Sequence, residues 1–393
     1  MAGEIGLLDV LEWQAWVDME SGRRVEMPGA EMQVLSDILA KRPYPGDLSP
    51  HGNAWVVDQA LEAVDAFEPS LIVLHFANQS FRAMFGGLTD DDLRADFDEL
   101  ARQADRFLVK ARGYEPIIFG LGGYAELKGY VDLTDLEGLA VLGGMSGHVC
   151  GLYRPTSHDL ERLREDARLV RMTSREAFRD EFGGCDAFYH RFPDYLLEYE
   201  QGWAVKCPLV MARQPQRLGR SDGTVPVHTG LGEAGRLEDI RPLVEGAVAA
   251  GSKVVIIMGE GWSVEDFPYS SRECASRLGW FDYDLKSKLF AIFSGKPPVE
   301  SEYPPAIRMY MEENAYPFSV AFNEPSRDCL GRSVNGFSVA VGNRSVLPHA
   351  FFGADVTIEC YARYVYNYGS MAILQGRGLS PSRVKPPERR KEA

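Results

Sequence analysis

Ser70 to Phe76 reads SLIVLHF, an apolar run of strand length whose one ionisable side chain, His75, stands next to its end. A strand that is apolar at every position, rather than at alternate ones, is covered on both faces, as in a parallel sheet flanked by helices. The residues that follow extend this pattern. Thr89 is placed to cap a helix whose first turn carries Asp90, Asp91 and Asp92, where the helix dipole favours acids. Leu93, Phe97, Leu100, Ala104 and Phe107 then recur at steps of three and four. Gly113 closes this segment, and Pro116 to Gly120 (PIIFG) begins a second buried strand, completing a right-handed β-α-β unit.

The alternation continues along the chain. Leu139 to Leu142 reads as a short strand, Thr156 and Asp159 as a capping box, and Arg175 to Phe182 as a helix stopped by Gly183-Gly184. A stripe from Leu237 to Val248 leads through Gly251 into Lys253 to Met258 (KVVIIM), another buried strand. Trp280 to Phe293 (WFDYDLKSKLFAIF) alternates and predicts an antiparallel hairpin turning near Lys286-Ser287. Phe337 to Val341 returns to strand, and Ala354 to Tyr366 reads as a helix. The fold expected is an α/β three-layer sandwich around a mostly parallel sheet, with an antiparallel hairpin insertion at 262–335. Residues 1–65 read as an N-terminal extension packed on the core, 66–375 as the α/β domain, and 376–393 as a mobile basic tail.

Composition narrows the function classes. A hydrophobic share of 45% and a charged share of 25% are those of an ordinary globular protein and exclude disordered and fibrous classes. The net charge of −15 repels phosphate backbones and anionic lipid, so nucleic acid and membrane are not expected partners. No apolar run approaches the roughly 18 residues of a membrane helix. The six cysteines form no close pair and the first residues carry no basic signal region, which points to a reduced, cytoplasmic protein. A homo-oligomer stays open.

Open α/β sheets bind ligands beyond the carboxyl ends of their strands, where loop amides and helix N-termini converge. The loops after the apolar runs are rich in glycine and polar residues: His75, Asn78, Ser80 and Arg82; Gly120 to Gly123; Gly143 to His148; Glu260 and Asp266; and Asn343, Arg344 and His349. From them come three sets of candidates. Asp266, Ser80 and His75 form the catalytic set, with Asp266 as general base. Asn78, Arg82, His148, Asn343 and Arg344 form the substrate-binding set, with Arg344 either an anion clamp or half of a structural ion pair. Asp222, His228, Glu260 and His349 form a metal set suited to zinc, manganese or magnesium. No dinucleotide fingerprint, P-loop, GxSxG elbow or HExxH pair occurs.

The order of elements resembles the core of the alkaline phosphatase and phosphodiesterase superfamily. Pro69 to Phe76 matches its first core strand, Thr89 to Phe107 the helix after it, Leu237 to Trp262 its Asp-His-bearing helix and strand, and Phe337 to Tyr366 its closing strand, loop and helix. His75-Phe76 stands where that family places a metal-binding Asp, Gly259-Glu260 stands in place of Asp-His, and His349 falls where the family has a ligand. The resemblance implies the sheet architecture and an anion-handling site. Together these readings point to a metal-assisted hydrolase or group transferase acting on a small phosphorylated or carboxylated metabolite. The alternative is a non-catalytic ligand-binding or scaffold protein on a degenerate enzyme fold.

Overall fold

A computed structural model describes residues 5–9, 16–18, 23–25, 29–142, 148–206, 215–220, 222–301, 329–343, 353–360 and 370–375. The basic segment 376–393 and the loop residues 143–147 and 344–352 lie outside the described residues. The chain builds a mixed α/β body on a nine-stranded sheet. Its spatial order is Ile5–Asp9, Ser370–Gln375, Val356–Cys360, Ser338–Gly342, Leu71–Phe76, Lys253–Gly259, Tyr114–Gly120, Thr224–Thr229, Arg272–Ala275. The five central strands are mutually parallel. Only Ser370–Gln375 and Thr224–Thr229 run against the rest, so the sheet is mostly parallel.

Leu71–Phe76 lies at the centre, fully buried, as a run without alternation requires. Successive side chains point to opposite faces. Leu71, Val73, Val254, Ile256 and Phe119 pack one way with the helices Ile240–Ala249 and Leu285–Ser294. Ile72, Leu74, Phe76, Val255 and Ile257 pack the other way with the helices Gly52–Phe67 and Asp90–Lys110. The capping box expected at Thr89 is present, with the Thr89 hydroxyl accepting from the Asp92 amide and the Asp92 carboxylate accepting from the Thr89 amide. A second box joins Thr156 and Asp159. Among the described residues no helix is long and apolar enough to cross a membrane.

Three expectations are corrected. Leu139–Leu142 does not extend the parallel sheet; it pairs in a separate four-stranded antiparallel sheet with Val149–Tyr153, Tyr195–Tyr199 and Leu169–Ser174. The hairpin expected to turn at Lys286-Ser287 is instead the helix Leu285–Ser294, capped by the Asp284 carboxylate, which accepts from the Ser287 amide at 2.8 Å. From Ser287 to Ser294 that helix is buried all round, so its sequence shows no amphipathic period to betray it. The real antiparallel turn sits earlier, between Arg277–Leu278 and Phe281–Asp282. The helix expected from Ala354 begins as the strand Val356–Cys360, where three consecutive β-branched residues, Val356, Thr357 and Ile358, favour extended backbone.

Cys150, Cys274 and Cys329 are buried and behave as small apolar side chains. Burial pushes the Cys150 and Cys274 thiols up to about 12, leaving roughly one thiolate in 10,000 at pH 8. Cys185 is only partly buried. Iodoacetamide at pH 8 is therefore expected to label Cys185 in the native protein and to spare Cys150 and Cys274. Peptide mass mapping reads this, and Cys150 labelled as fast as Cys185 would contradict its burial.

Candidate functional site

The parallel strands Leu71–Phe76, Lys253–Gly259 and Tyr114–Gly120 end level with one another, since Gly259 pairs with both Phe76 and Gly120. Gly342 stands beside His75 in the next strand. Two polar layers close these ends, one on each face of the sheet.

The first layer faces the Leu285–Ser294 helix. His75 shares its side of the strand with Leu71 and Val73, and Glu260 continues the parity of Ile256 and Met258. Their side chains meet, with His75 Nε2 2.9 Å from Glu260 Oε1 and almost no exposure of either. The Glu260 amide donates to the Phe76 carbonyl at 3.0 Å, which fixes the second partner against the first strand. Lys288 reaches the same level from the helix and donates to the Leu121 carbonyl at 2.6 Å. Burial pushes its ammonium pKa down, against the opposing pull of Asp284, Asp222, Asp282 and Glu260.

The second layer faces the Gly52–Phe67 helix. Asn343 Oδ1 accepts from the Ala77 amide at 2.6 Å, and its Nδ2 donates to Asn53 Oδ1 at 3.0 Å. Asn53 Nδ2 donates in turn to Gln79 Oε1 at 3.0 Å. Gln79 Nε2 donates to the carbonyls of Phe76 and Glu260, and Asn78 Nδ2 donates to the Asp47 carbonyl. Four amide side chains thus tie three strand ends to the flanking helix. Buried amides need such complete pairing, because each unpaired group costs about 1–3 kcal/mol.

Beside these layers lies a cavity of about 290 Å³, walled by Gly123 and Tyr124 after one strand, Gly261 and Asp266 after another, and Arg94, Arg217 and Arg220. Ser263 Oγ donates to Asp266 Oδ2 at 2.6 Å, which holds the carboxylate on the wall. Arg220 pairs with Asp222 at 2.6 Å and Arg217 with Asp90 at 2.8 Å. Three guanidiniums around one small cavity offer an anion forked donors at the price of rearranging existing pairs.

The candidate residues are distributed as follows. His75 and Glu260 meet directly, Asn78 and Asn343 join the amide layer, and Asp266 lines the cavity. Ser80 is buried in the first turn of the helix Asn78–Phe85, its amide donating to the Ala77 carbonyl. Arg82 is held by Asp96 at 2.6 Å and the Leu48 carbonyl at 2.9 Å, away from the cavity wall. His148 lies against the antiparallel sheet, its carbonyl accepting from the Tyr199 amide at 2.7 Å, near Glu198 and Asp282, two carboxyls that burial raises above the ordinary range. Arg344 and His349 lie outside the described residues.

The metal set does not assemble from its described members. His228 stands opposite Ile118, short of the strand end, with Nδ1 2.8 Å from the Ser270 carbonyl. Asp222 takes Arg220 and Glu260 takes His75. Among the described residues no three His, Cys, Asp or Glu side chains converge as a metal site. A divalent ion does not fit Asp222, His228 and Glu260 as they stand.

Asn53, Gln79 and Lys288 escaped the sequence reading. Gln79 adjoins Asn78 and was within reach as a polar residue after a strand end, whereas Asn53, in the first turn of the helix Gly52–Phe67, reaches the site only through packing. Lys288 becomes visible only once 285–294 is read as a helix, which places it with Ala291 and Ile292 on a buried face. No known protein family, no curated protein and no solved structure matches this chain.

Proposed function

We propose that this chain is an enzyme, a hydrolase or group transferase, whose substrate is a small phosphorylated or carboxylated metabolite held over the carboxyl ends of the central strands. The observation that carries this reading is the cavity bounded by Gly123 and Gly261, a space of about 290 Å³ lined by Arg94, Arg217 and Arg220 together with Asp90, Glu126 and Asp266. The arginines hold the anionic group, and Asp266, fixed by Ser263, is the proton acceptor. The buried pairs behind it keep the strand ends rigid, which is what a positioned site needs. The body is best described as a three-layer α/β sandwich, supported by the two core clusters on opposite faces of the sheet. A cytoplasmic location fits the four free cysteines among the described residues. Kinship with the alkaline phosphatase superfamily stays a proposal resting on element order alone.

Inorganic phosphate or citrate is expected to raise the melting temperature of the full-length protein. Arg220→Met is expected to weaken that binding about 10- to 100-fold, the weight of a charged hydrogen bond of ~1.5–3 kcal/mol. Unchanged melting with both anions would overturn the site. The second reading, a ligand-binding or scaffold protein, is favoured by one observation: Arg217 and Arg220 already have carboxylate partners. Anion binding that depends on Arg220, without turnover across a panel of phosphoesters and carboxylic esters, would select it.

A further inference from the structure

The cavity has an aromatic side that anion binding alone does not use. Leu93 and Phe97 stand four residues apart on the helix Asp90–Lys110, so their side chains lie together on one face, and both line the cavity. Tyr124 lines it from the short strand Tyr124–Glu126. The Phe97 and Tyr124 rings are nearly parallel, 14° apart in tilt, with centroids 6.4 Å apart. Gly261 brings them together. A Cβ there would stand 2.7 Å from Phe97 Cε1 and 2.6 Å from Tyr124 Cε2, so the edges of both rings rest on its backbone, and its φ of +88° lies in the region that favours glycine.

The charged side of the cavity begins one residue away. Tyr124–Glu126 pairs antiparallel with Arg217–Gly219, placing Tyr124 opposite Gly219 and Glu126 opposite Arg217. Gly219 brings no side chain against the Tyr124 ring. The next residue, Arg220, donates its amide to the Gly123 carbonyl at 2.8 Å. Its guanidinium lies beside that same glycine, where a Cβ would stand 3.5 Å from Nη2. Guanidinium and ring therefore flank consecutive residues, Gly123 and Tyr124, of one wall.

We propose that the metabolite held in this cavity is an aryl anion, a single aromatic ring joined directly or through one atom to its phosphate or carboxylate group. This inference rests on the cavity being the substrate site and adds the substrate class. The arginines take the acidic group, and the ring lies against the Phe97 and Tyr124 pair with Leu93 beside it. A flat ring extends an offset stack, whereas a saturated ring of similar size buries comparable area without that gain. The volume of about 290 Å³ stands at the lower end of ligand pockets, which begin near about 300 Å³, and suits one ring with its acidic group.

The test is isothermal titration of the native full-length protein with phenyl, cyclohexyl and methyl phosphate, with benzoate and cyclohexanecarboxylate, and with inorganic phosphate. The expected result is that phenyl phosphate or benzoate binds about 2- to 10-fold more tightly than its saturated-ring counterpart, the weight of an aromatic pair, and that the preferred pair identifies the acidic group. Phenyl phosphate is also expected to bind more tightly than methyl phosphate. Tyr124→Leu is expected to abolish the preference of aromatic over saturated ring, a ratio that a general loss of stability or of anion affinity leaves unchanged. Saturated and aromatic rings binding equally in both series would overturn the inference. If inorganic phosphate still binds in that case, only the aromatic class has failed; if no anion binds, the cavity reading has failed as well.

Discussion

Glu260→Ala is expected to lose about 3–5 kcal/mol of stability, the cost of removing one partner from a buried ionisable pair. His75 is fully buried and its Nε2 lies 2.9 Å from the Glu260 carboxylate, so the truncated protein would bury an imidazole without that partner. Glu260→Gln keeps a polar group of the same shape beside the imidazole and is expected to cost less, about 1–2 kcal/mol, because no cavity is left and only the charge is lost. Guanidinium titration followed by tryptophan fluorescence measures both. Wild-type stability in Glu260→Ala would mean that the strand ends do not depend on this pair.

The second large effect concerns packing at the same level. Gly120 ends its strand directly under the backbone of Trp262, and a Cβ there would stand 2.0 Å from the Trp262 carbonyl oxygen. A rigid backbone atom cannot rotate away as a side chain can. Gly120→Ala is therefore expected to destabilise by roughly 3 kcal/mol or more, at the upper end of overpacking costs. Gly246 supplies the contrast. It sits inside the helix Ile240–Ala249, where an added Cβ meets nothing within 4 Å. Gly246→Ala is expected to stabilise by about 0.5–1 kcal/mol through helix propensity. Thermal unfolding of the two variants side by side reads opposite signs. Equal effects would show that Trp262 does not close over Gly120.

The parts of the fold that were legible in the sequence share one physical feature: their environment is simple. Leu71–Phe76 and Val254–Met258 are covered on both faces, so they are apolar throughout apart from His75 and show no alternation. The Asp90–Lys110 helix has one wet face and a capping box, so its stripe and its start are both written locally. The misread segments lack such one-sided patterns. LKSKLFAIFS is buried all round, which erases the helical period, and its cap residue, Asp284, sits within what reads as an alternating strand. The site shows the same division. Strand-end position identified His75, Glu260, Asn78 and Asn343 because topology alone brings those positions together. The grouping of Asp222 and His228 with Glu260 depended on pairing across an antiparallel edge, and there register sets His228 short of the strand end. Arg82 has the chemistry of an anion ligand, but Asp96 holds it elsewhere, a long-range contact with no local signature.

The central claim, that the cavity over the strand ends takes a small anion, is tested most directly by amide hydrogen exchange of the full-length protein with and without saturating inorganic phosphate. Slowed exchange confined to the turns 120–124 and 259–266 and to the Arg217–Gly219 strand is the expected result. Exchange unchanged at those three segments, or protection appearing only around His228 and Ser270, would contradict it.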